Sequence, residues 1–442
     1  MGQVSPPAGT DAKGGMIETV PVARDEYARQ TLAILQAIYG RRFARGFGIE
    51  LWDGTSVPPI GAAAFTLRIN APYALRGALT PPLDLNPGRA YVEKWIDVDG
   101  DLEAAIESLE RAMERFPKLR LPQILTRLLR LPRPPASAED RPALSGKVHS
   151  KRRDAAAIGF HYDQPLAFYR AWLDSRMIYS CAYWDEGVTD LDGAQLAKID
   201  YTLRKLRLTA GERLLDIGCG WGGLVIRAAQ RFGATALGIT LSRRQHEEAQ
   251  RRIAEAGVGD RVRVELRDYR ELGDERFDKV VSVGMVEHVG RERLESYFRC
   301  AWRALLDGGL FLNHGIASQL RHGKGYRSGG FMQRYVFPDG DLTNIDRSLR
   351  VAEGVGFEIR DVENLREHYA RTLRAWVANL DAHRDDVIAA TDEHTYRVWR
   401  IYMAGSARNF TNGQMGLFQT LLAKPDAAGV ATIPRTRRDL YA

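Results

Sequence analysis

Apolar residues recur with two different periods along this chain, and the change of period divides it. Near the front, FTLRIN (65–70) alternates apolar and polar positions, as a half-buried strand does. DLEAAIESLERAMERF (101–116) instead sets Leu102, Ile106, Leu109 and Met113 on one helical face, with Asp101 as N-cap. After Asp154 short apolar runs alternate with helical patterns. In order they are RLLDIG and GLVIRAAQRFG, ATALGIT and SRRQHEEAQRRIAEAG, then RVRVELRD, FDKVVSVG and GGLFLNHGI. Repeated strand–helix–strand units of this length predict a parallel sheet covered by helices on both faces. FEIRDVEN and MGLFQTLLAK read as closing strands. The expected architecture is α/β: a doubly wound domain over 154–442, preceded by a smaller α+β domain over 16–117. Residues 1–15 are small and polar, a loose disordered tail without the hydrophobic centre of a secretory signal.

Between these domains the pattern changes character. Leu119, Leu121, Ile124, Leu125, Leu128, Leu129 and Leu131 interleave with arginines, and a proline cluster at Pro132–Pro135 opens a linker. The segment 118–153 holds ten Lys or Arg residues against Glu139 and Asp140. The chain's net charge of +7 is therefore concentrated there, which implies an anionic partner met at one place, either membrane lipid or nucleic acid. An arginine-rich amphipathic piece suits a lipid headgroup layer; the plainer alternative is a helix packed on its own protein with solvated arginines. No apolar run is long enough to span a bilayer. Three scattered cysteines, Cys181, Cys219 and Cys300, make neither a disulfide framework nor a zinc site, and no metal is expected. A reducing cytoplasm is the simplest compartment.

The stretch RLLDIGCGWGGL carries the first chemistry. A glycine-rich turn between a strand and a helix lets a ligand approach the backbone. No lysine follows, which excludes a P-loop. Gly218, Gly220 and Gly222 are spaced G-x-G-x-G behind Asp216, where a dinucleotide fingerprint has G-x-G-x-x-G. A carboxylate there repels a pyrophosphate and welcomes a cationic amino-acid end, so S-adenosylmethionine suits the loop electrostatically. Asp268 and Tyr269 close the third strand, placing a carboxylate and a ring where an adenine is hydrogen-bonded and stacked. The second strand ends GITLS without the acidic residue that commonly grips a ribose; Thr240 and Gln245 stand in its place.

LLDIGCGWGG, GITLSRRQ, SVGMVEHVG, YSCAYW and YVFPDGDL, five ordered motifs, together resemble the cyclopropane fatty acid synthase family, whose relatives include the mycolic acid cyclopropane synthases. The resemblance runs from about Gly159 to the C-terminus, and the N-terminal module is similar to the smaller domain of full-length bacterial members. It implies a Rossmann-like class I S-adenosylmethionine-dependent methyltransferase fold. The implied reaction transfers a methylene from S-adenosylmethionine to the cis double bond of an unsaturated phospholipid acyl chain. Bound bicarbonate would be the base, held by Cys181, Glu287, His314, the main chain of Ile316, and Tyr369. Implied donor contacts are Tyr179, Ser180, Gly218, Gly220, Thr240, Leu241, Gln245, Asp268 and Tyr269, with Asp216 behind the loop.

Such chemistry needs a dry pocket and aromatic faces for a carbocation. Tyr162, Phe168, Tyr179, Tyr183, Trp184, Phe331 and Tyr335 are the rings near the motifs. The resemblance further implies a homodimer, peripheral attachment to the inner face of the cell membrane through the basic segment, and no nucleic-acid partner. Two alternatives stay open. One is a fatty acid methyltransferase making methylene- or 10-methyl-branched lipid, the saturated product requiring a reductase partner. The other is a non-catalytic lipid-binding homologue.

Overall fold

The computed structural model describes residues 25–136, 150–162, 164–319, 330–431 and 433–440. It separates into two compact units, one formed by residues up to Arg76 together with Trp95–Pro134, the other by Gly77–Lys94 and Pro135 onward. This division departs from the expected boundaries at 117 and 153 in two ways. Residues 77–94 pack with the larger unit: Arg397 Nε donates to the Tyr91 carbonyl at 2.8 Å, and its guanidinium lies 4.1 Å from the Tyr91 ring centre. The leucine–arginine segment, expected to lead into a linker, packs instead with the smaller unit. The tail at 1–15, and the linker residues 137–149, lie outside the described residues.

The smaller unit has a four-stranded sheet of β1 (Arg45–Leu51), β2 (Ser56–Val57), β3 (Ile60–Ile69) and β4 (Ile96–Gly100), in the order β2-β1-β3-β4. β1 and β3 run parallel, and the other pairs are antiparallel. Phe47 and Phe65 stack across the parallel pair at 5.1 Å. Asp101 caps the helix Leu102–Glu114 as its sequence predicts, its carboxylate accepting from the Ala104 amide at 3.0 Å. Leu102 is buried, whereas Met113, expected on the same inward face, is exposed. The helix Leu121–Arg130 buries Ile124 and Leu128, and Arg76 closes its last turn by donating to the carbonyls of Leu129 and Leu131.

The larger unit carries seven strands: β5 (Arg213–Ile217), β6 (Thr235–Thr240), β7 (Val262–Leu266), β8 (Phe277–Val283), β9 (Leu305–Ser318), β10 (Glu358–Asn364) and β11 (Met415–Ala423). Their order is β10-β11-β9-β8-β5-β6-β7. β5 to β9 pair in parallel, and β11 enters antiparallel between β9 and β10, so the two closing strands stand where their patterns put them. Leu214, Leu215, Val280, Val281, Phe311 and Leu312 are buried on alternating sides of the central strands. Both faces are covered, which is why these strands read as continuous apolar runs. The sheet order reverses between β5 and β8, so a crevice opens at the carboxyl ends of these strands, the usual ligand position in such sheets.

Candidate active site

The crevice begins at the glycine loop. β5 ends at Ile217, and the chain turns through Gly218, Gly220 and Gly222 at φ values of 87°, 55° and 85°, a region side chains avoid. The amides of Gly218 and Cys219 both donate to the Ile239 carbonyl at 3.0 Å, fastening the loop to the end of β6. The helix Gly223–Phe232 starts directly behind it. The resulting cleft encloses about 1120 Å³ of empty space, open solvent included. Tyr179, Ser180, Asp216, Gly218, Gly220, Thr240, Leu241, Gln245 and Tyr269 all line it, as expected from the sequence. Thr240 donates to Gln245 Oε1 at 2.7 Å, so the two residues replacing the missing acid act as one polar unit.

Asp268 departs from expectation. Its carboxylate is occupied by Arg270, which donates from the backbone amide at 2.9 Å and from Nε at 2.8 Å, and it forms no part of the cleft wall. Arg270 lines the cleft instead and lies 5.3 Å from the Tyr269 ring centre, so the third strand offers a guanidinium and a ring. Another lining residue escaped sequence reading: Lys198, buried on the helix Leu191–Lys205. Its ammonium donates to Ser180 Oγ at 2.8 Å. Burial lowers its pKa to about 8, against the pull of Cys181, Asp174 and Asp216. Burial likewise pushes Asp216 up to about 7, with Lys198 holding it down. A cation and an anion thus face one chamber, matching the two charges of an amino-acid end.

A second cavity, of about 780 Å³ with its opening included, shares Tyr162, Tyr179, Ser180, Gly284 and His288 with the first. Its remaining wall is mostly apolar or aromatic, with Met332, Phe337, Leu342, Leu373, Phe410 and Met415 beside Tyr369 and Tyr402, and Glu287 and Ser406 as its polar members. Of the seven rings expected around the reaction, Tyr162 and Tyr179 line these two cavities and the other five do not. Phe168 is core beside Trp172 and Trp399, and Tyr183 stacks 4.6 Å from His368. Trp184 carries Arg371 at 4.1 Å, and Phe331 packs against Gly88 and Tyr335. Phe337, Tyr402 and Phe410 take their places. Phe337 sits inside a quoted motif, whereas Tyr402 and Phe410 lie on the helix Glu393–Thr411, which carries no motif at all.

Where the second cavity meets β9, five expected residues gather. Glu287, Ile316 and Tyr369 line the wall, while Cys181 and His314 are buried and do not. Burial raises Tyr369 well above its usual range, and Tyr402, Cys181 and Glu287 each add to that rise, which places them within electrostatic reach of its phenol. The Ile316 amide, expected to donate to an anion, is already engaged: it donates to Glu287 Oε1 at 2.7 Å. This arrangement depends on Gly315, where a Cβ would overlap the Val286 Cγ1 methyl. Only glycine lets the turn Val286–His288 lie on β9 and deliver Glu287 to that amide.

Two buried polar atoms here have no hydrogen-bond partner among the described residues: Glu287 Oε2 and His314 Nε2. The protonation of each follows from its surroundings. Burial pushes Glu287 up to about 7, opposed by the Ile316 amide. Burial, with Lys198 and Lys205, drives His314 well below its usual value, so its ring is neutral. Lys205 donates to Gln419 Oε1 at 2.8 Å, which turns the Gln419 amide nitrogen toward His314 Nδ1 at 3.1 Å. Nδ1 therefore accepts, and Nε2 carries the proton. Cys181 is a thiol, raised by burial, with Sγ 3.1 Å from the Ala182 carbonyl. Its loop is pinned by Gln195, which donates to the carbonyls of Ile178 at 3.3 Å and Ser180 at 2.8 Å. Neither Gln195 nor Gln419 stands out in sequence; each is one polar position in an ordinary helix or strand.

Comparison with known proteins agrees with this geometry. Residues 149–420 match the family described as mycolic acid cyclopropane synthetase. A probable fatty acid methyltransferase of Pseudomonas putida is 41% identical over 397 residues, covering 89% of this chain and 95% of its own. A probable fatty acid methyltransferase of Mycobacterium tuberculosis is 37% identical, covering 84% and 90%. Among solved structures, mycolic acid cyclopropane synthase CmaA1 complexed with SAH and CTAB superposes with a TM-score of 0.59 at 35% identity. It covers 61% of this chain and 98% of its own. The doubly wound larger unit, with its donor cleft beside an apolar chamber, thus belongs to the mycolic acid cyclopropane synthetase family of S-adenosylmethionine-dependent methyltransferases that modify lipids.

Proposed function

We propose that the chain is a cyclopropane-fatty-acyl-phospholipid synthase, acting on the cis double bond of an acyl chain drawn from a membrane. The observation that carries this reading is the orphaned Glu287 Oε2, on a residue in the wall of a ring-lined cavity that adjoins the donor cleft, with a second orphaned atom, His314 Nε2, buried behind that wall two residues before Ile316. An alkene is a feeble nucleophile, so the sulfonium methyl must be held in near-attack contact across the shared wall of Tyr179 and Ser180. The alkene's π pair takes the methyl, the carbon–sulfur pair leaves on sulfur, and the neighbouring alkene carbon becomes cationic. Tyr162, Tyr179, Phe337 and Tyr402 face that charge with rings and exclude water. A proton then leaves the new methyl, and its bonding pair closes the three-membered ring.

The residues present fit a small oxyanion that both accepts and donates. His314 Nε2–H and the Tyr369 hydroxyl are donors, and Glu287 Oε2 is an acceptor for a hydroxyl. Bicarbonate bound there would supply the base. Glu287, fixed by Ile316, orients that hydroxyl, and the neutral Cys181 thiol packs behind without adding a competing charge.

A second reading draws on the names of the relatives that match nearly the whole chain, both probable fatty acid methyltransferases. On the same scaffold, a 1,2-hydride shift moves the positive charge onto the methyl-bearing carbon, and loss of a proton from that methyl then leaves a methylene branch. Expression in a bacterium lacking its own synthase separates the outcomes. Fatty acid methyl esters carrying a ring gain one CH2 and keep their unsaturation equivalent, while a saturated branch gains two further hydrogens. NMR distinguishes ring from methylene branch. A product with ring protons supports the synthase; branched product alone refutes it in favour of the methyltransferase.

A further inference from the structure

The smaller unit contains a cleft unrelated to the donor or acyl cavities. It lies between the helices Glu26–Tyr39 and Leu102–Glu114 and the start of β1, with about 1370 Å³ of empty space, open solvent included. Arg42, Arg45, Arg111, Arg115 and Arg120 line it against the lone lining carboxylate Glu107, which pairs with Arg111. The other four arginines have no carboxylate partner among the described residues. Five guanidiniums converging on one exposed hollow repel each other, and a phosphate relieves that repulsion with bidentate hydrogen bonds.

The rim of this cleft points to the source of the phosphate. Arg120 immediately precedes the helix Leu121–Arg130, whose inner face buries Ile124 and Leu128. Its outer face carries Leu121, Leu125 and Leu129, spaced four apart in a single row and 48%, 45% and 68% exposed. Leu119 beside Arg120 is 93% exposed. Water gains nothing from four leucines aligned beside an arginine hollow; a bilayer surface takes both, headgroup phosphate in the cleft and leucines among the acyl chains.

We propose that this cleft is a phospholipid headgroup site through which the smaller unit docks on an anionic bilayer. The idea deepens the phospholipid reading above and rests on it for the presence of a membrane.

Full-length protein is sedimented with vesicles of phosphatidylglycerol and phosphatidylcholine, and with phosphatidylcholine alone. The parent chain should bind the anionic vesicles and scarcely the neutral ones. Replacing Arg42, Arg45 and Arg115 together by Gln should weaken binding roughly a hundredfold, at about fivefold per arginine. The matching Lys variant, which keeps charge and loses the forked geometry, should fall between. Leu121, Leu125 and Leu129 changed together to Ser should also release the protein from anionic vesicles. Equal vesicle binding by the Gln variant and its parent overturns the proposal. So does saturable binding of inorganic phosphate, abolished in the Gln variant, without vesicle binding, since the cleft then serves a soluble phosphate. Methyl transfer to lipid dispersed in neutral detergent separates the two readings. The Gln variant should retain it; its absence from the parent, with vesicle binding intact, would sink the catalytic reading and leave the docking site standing.

Discussion

Changing Gly315 to Ala tests how the proposed base station is assembled. The added methyl would overlap Val286 Cγ1, whereas it would stand 3.7 Å from Val286 Cβ, an ordinary contact. Val286 is buried and stiff, so the turn carrying Glu287 must retreat by roughly an ångström for carbon atoms to reach about 3.5 Å. Overpacking of this kind costs about 1–3 kcal/mol. The same retreat stretches the 2.7 Å bond between the Ile316 amide and Glu287 Oε1. A displacement of about an ångström at a positioned catalytic group costs on the order of a hundredfold in rate. Urea unfolding followed by circular dichroism measures the first loss, and turnover of labelled S-adenosylmethionine into lipid measures the second. The decisive comparison is the double variant with Val286→Ala, which removes the colliding methyl. That pair should recover about 1–3 kcal/mol relative to additivity and restore much of the rate. Additive losses, or an unaffected Gly315→Ala enzyme, would refute the claim that glycine is required for the turn to seat Glu287.

Glu287 should also give activity a rising limb near pH 7, because burial lifts its carboxyl to about 7 and only the ionised form accepts a hydroxyl proton; Glu287→Gln should abolish that limb and most turnover while leaving donor affinity intact in calorimetry. Its effect on stability has the opposite sense. The folded value lies above the ordinary 4.5, so this contribution is complete below about pH 4.5 and drains as pH rises through about 7, which unfolding midpoints of parent and Gln variant will compare. Lys198→Met should weaken S-adenosylmethionine binding about ten- to hundredfold, since one charge-assisted contact is lost and Asp216 loses the cation that keeps it ionised; unchanged affinity by calorimetry would contradict this. Gln419→Leu should lower turnover about three- to tenfold with donor affinity unchanged, and nitrogen-15 spectra should show His314 no longer confined to the Nε2–H form.

Periodicity and glycine spacing made the larger unit legible because its strands are buried on both faces and its loop must be bare. The expected strand 277–284 is β8 at Phe277–Val283, and the expected helix 242–257 is Arg243–Glu255. Nine of the ten expected donor contacts line the cleft, and six of them, Asp216, Gly218, Gly220, Thr240, Leu241 and Tyr269, sit at or just beyond the ends of β5, β6 and β7, where position along the chain and position in space coincide. The misses have local or tertiary causes. Asp268 was spoken for by Arg270, two residues away. Tyr402 and Phe410 approach from a helix more than 200 residues beyond Tyr179, and no short-range pattern announces such a meeting. Residues 77–94 left the smaller unit because Tyr91 answers two arginines on that same helix, a tertiary preference invisible in composition.

The chambers for donor and lipid are divided by little more than Tyr162, Tyr179, Ser180, Gly284 and His288. A partition this thin has no spare side, so a mutation there to admit a bulkier lipid also reshapes the seat of the sulfonium. New chain preferences can be acquired safely only from wall residues that the donor cleft does not share, such as Phe410 and Met415. Divergence among enzymes built this way should therefore avoid the partition, with the reaction held constant while the unshared wall drifts.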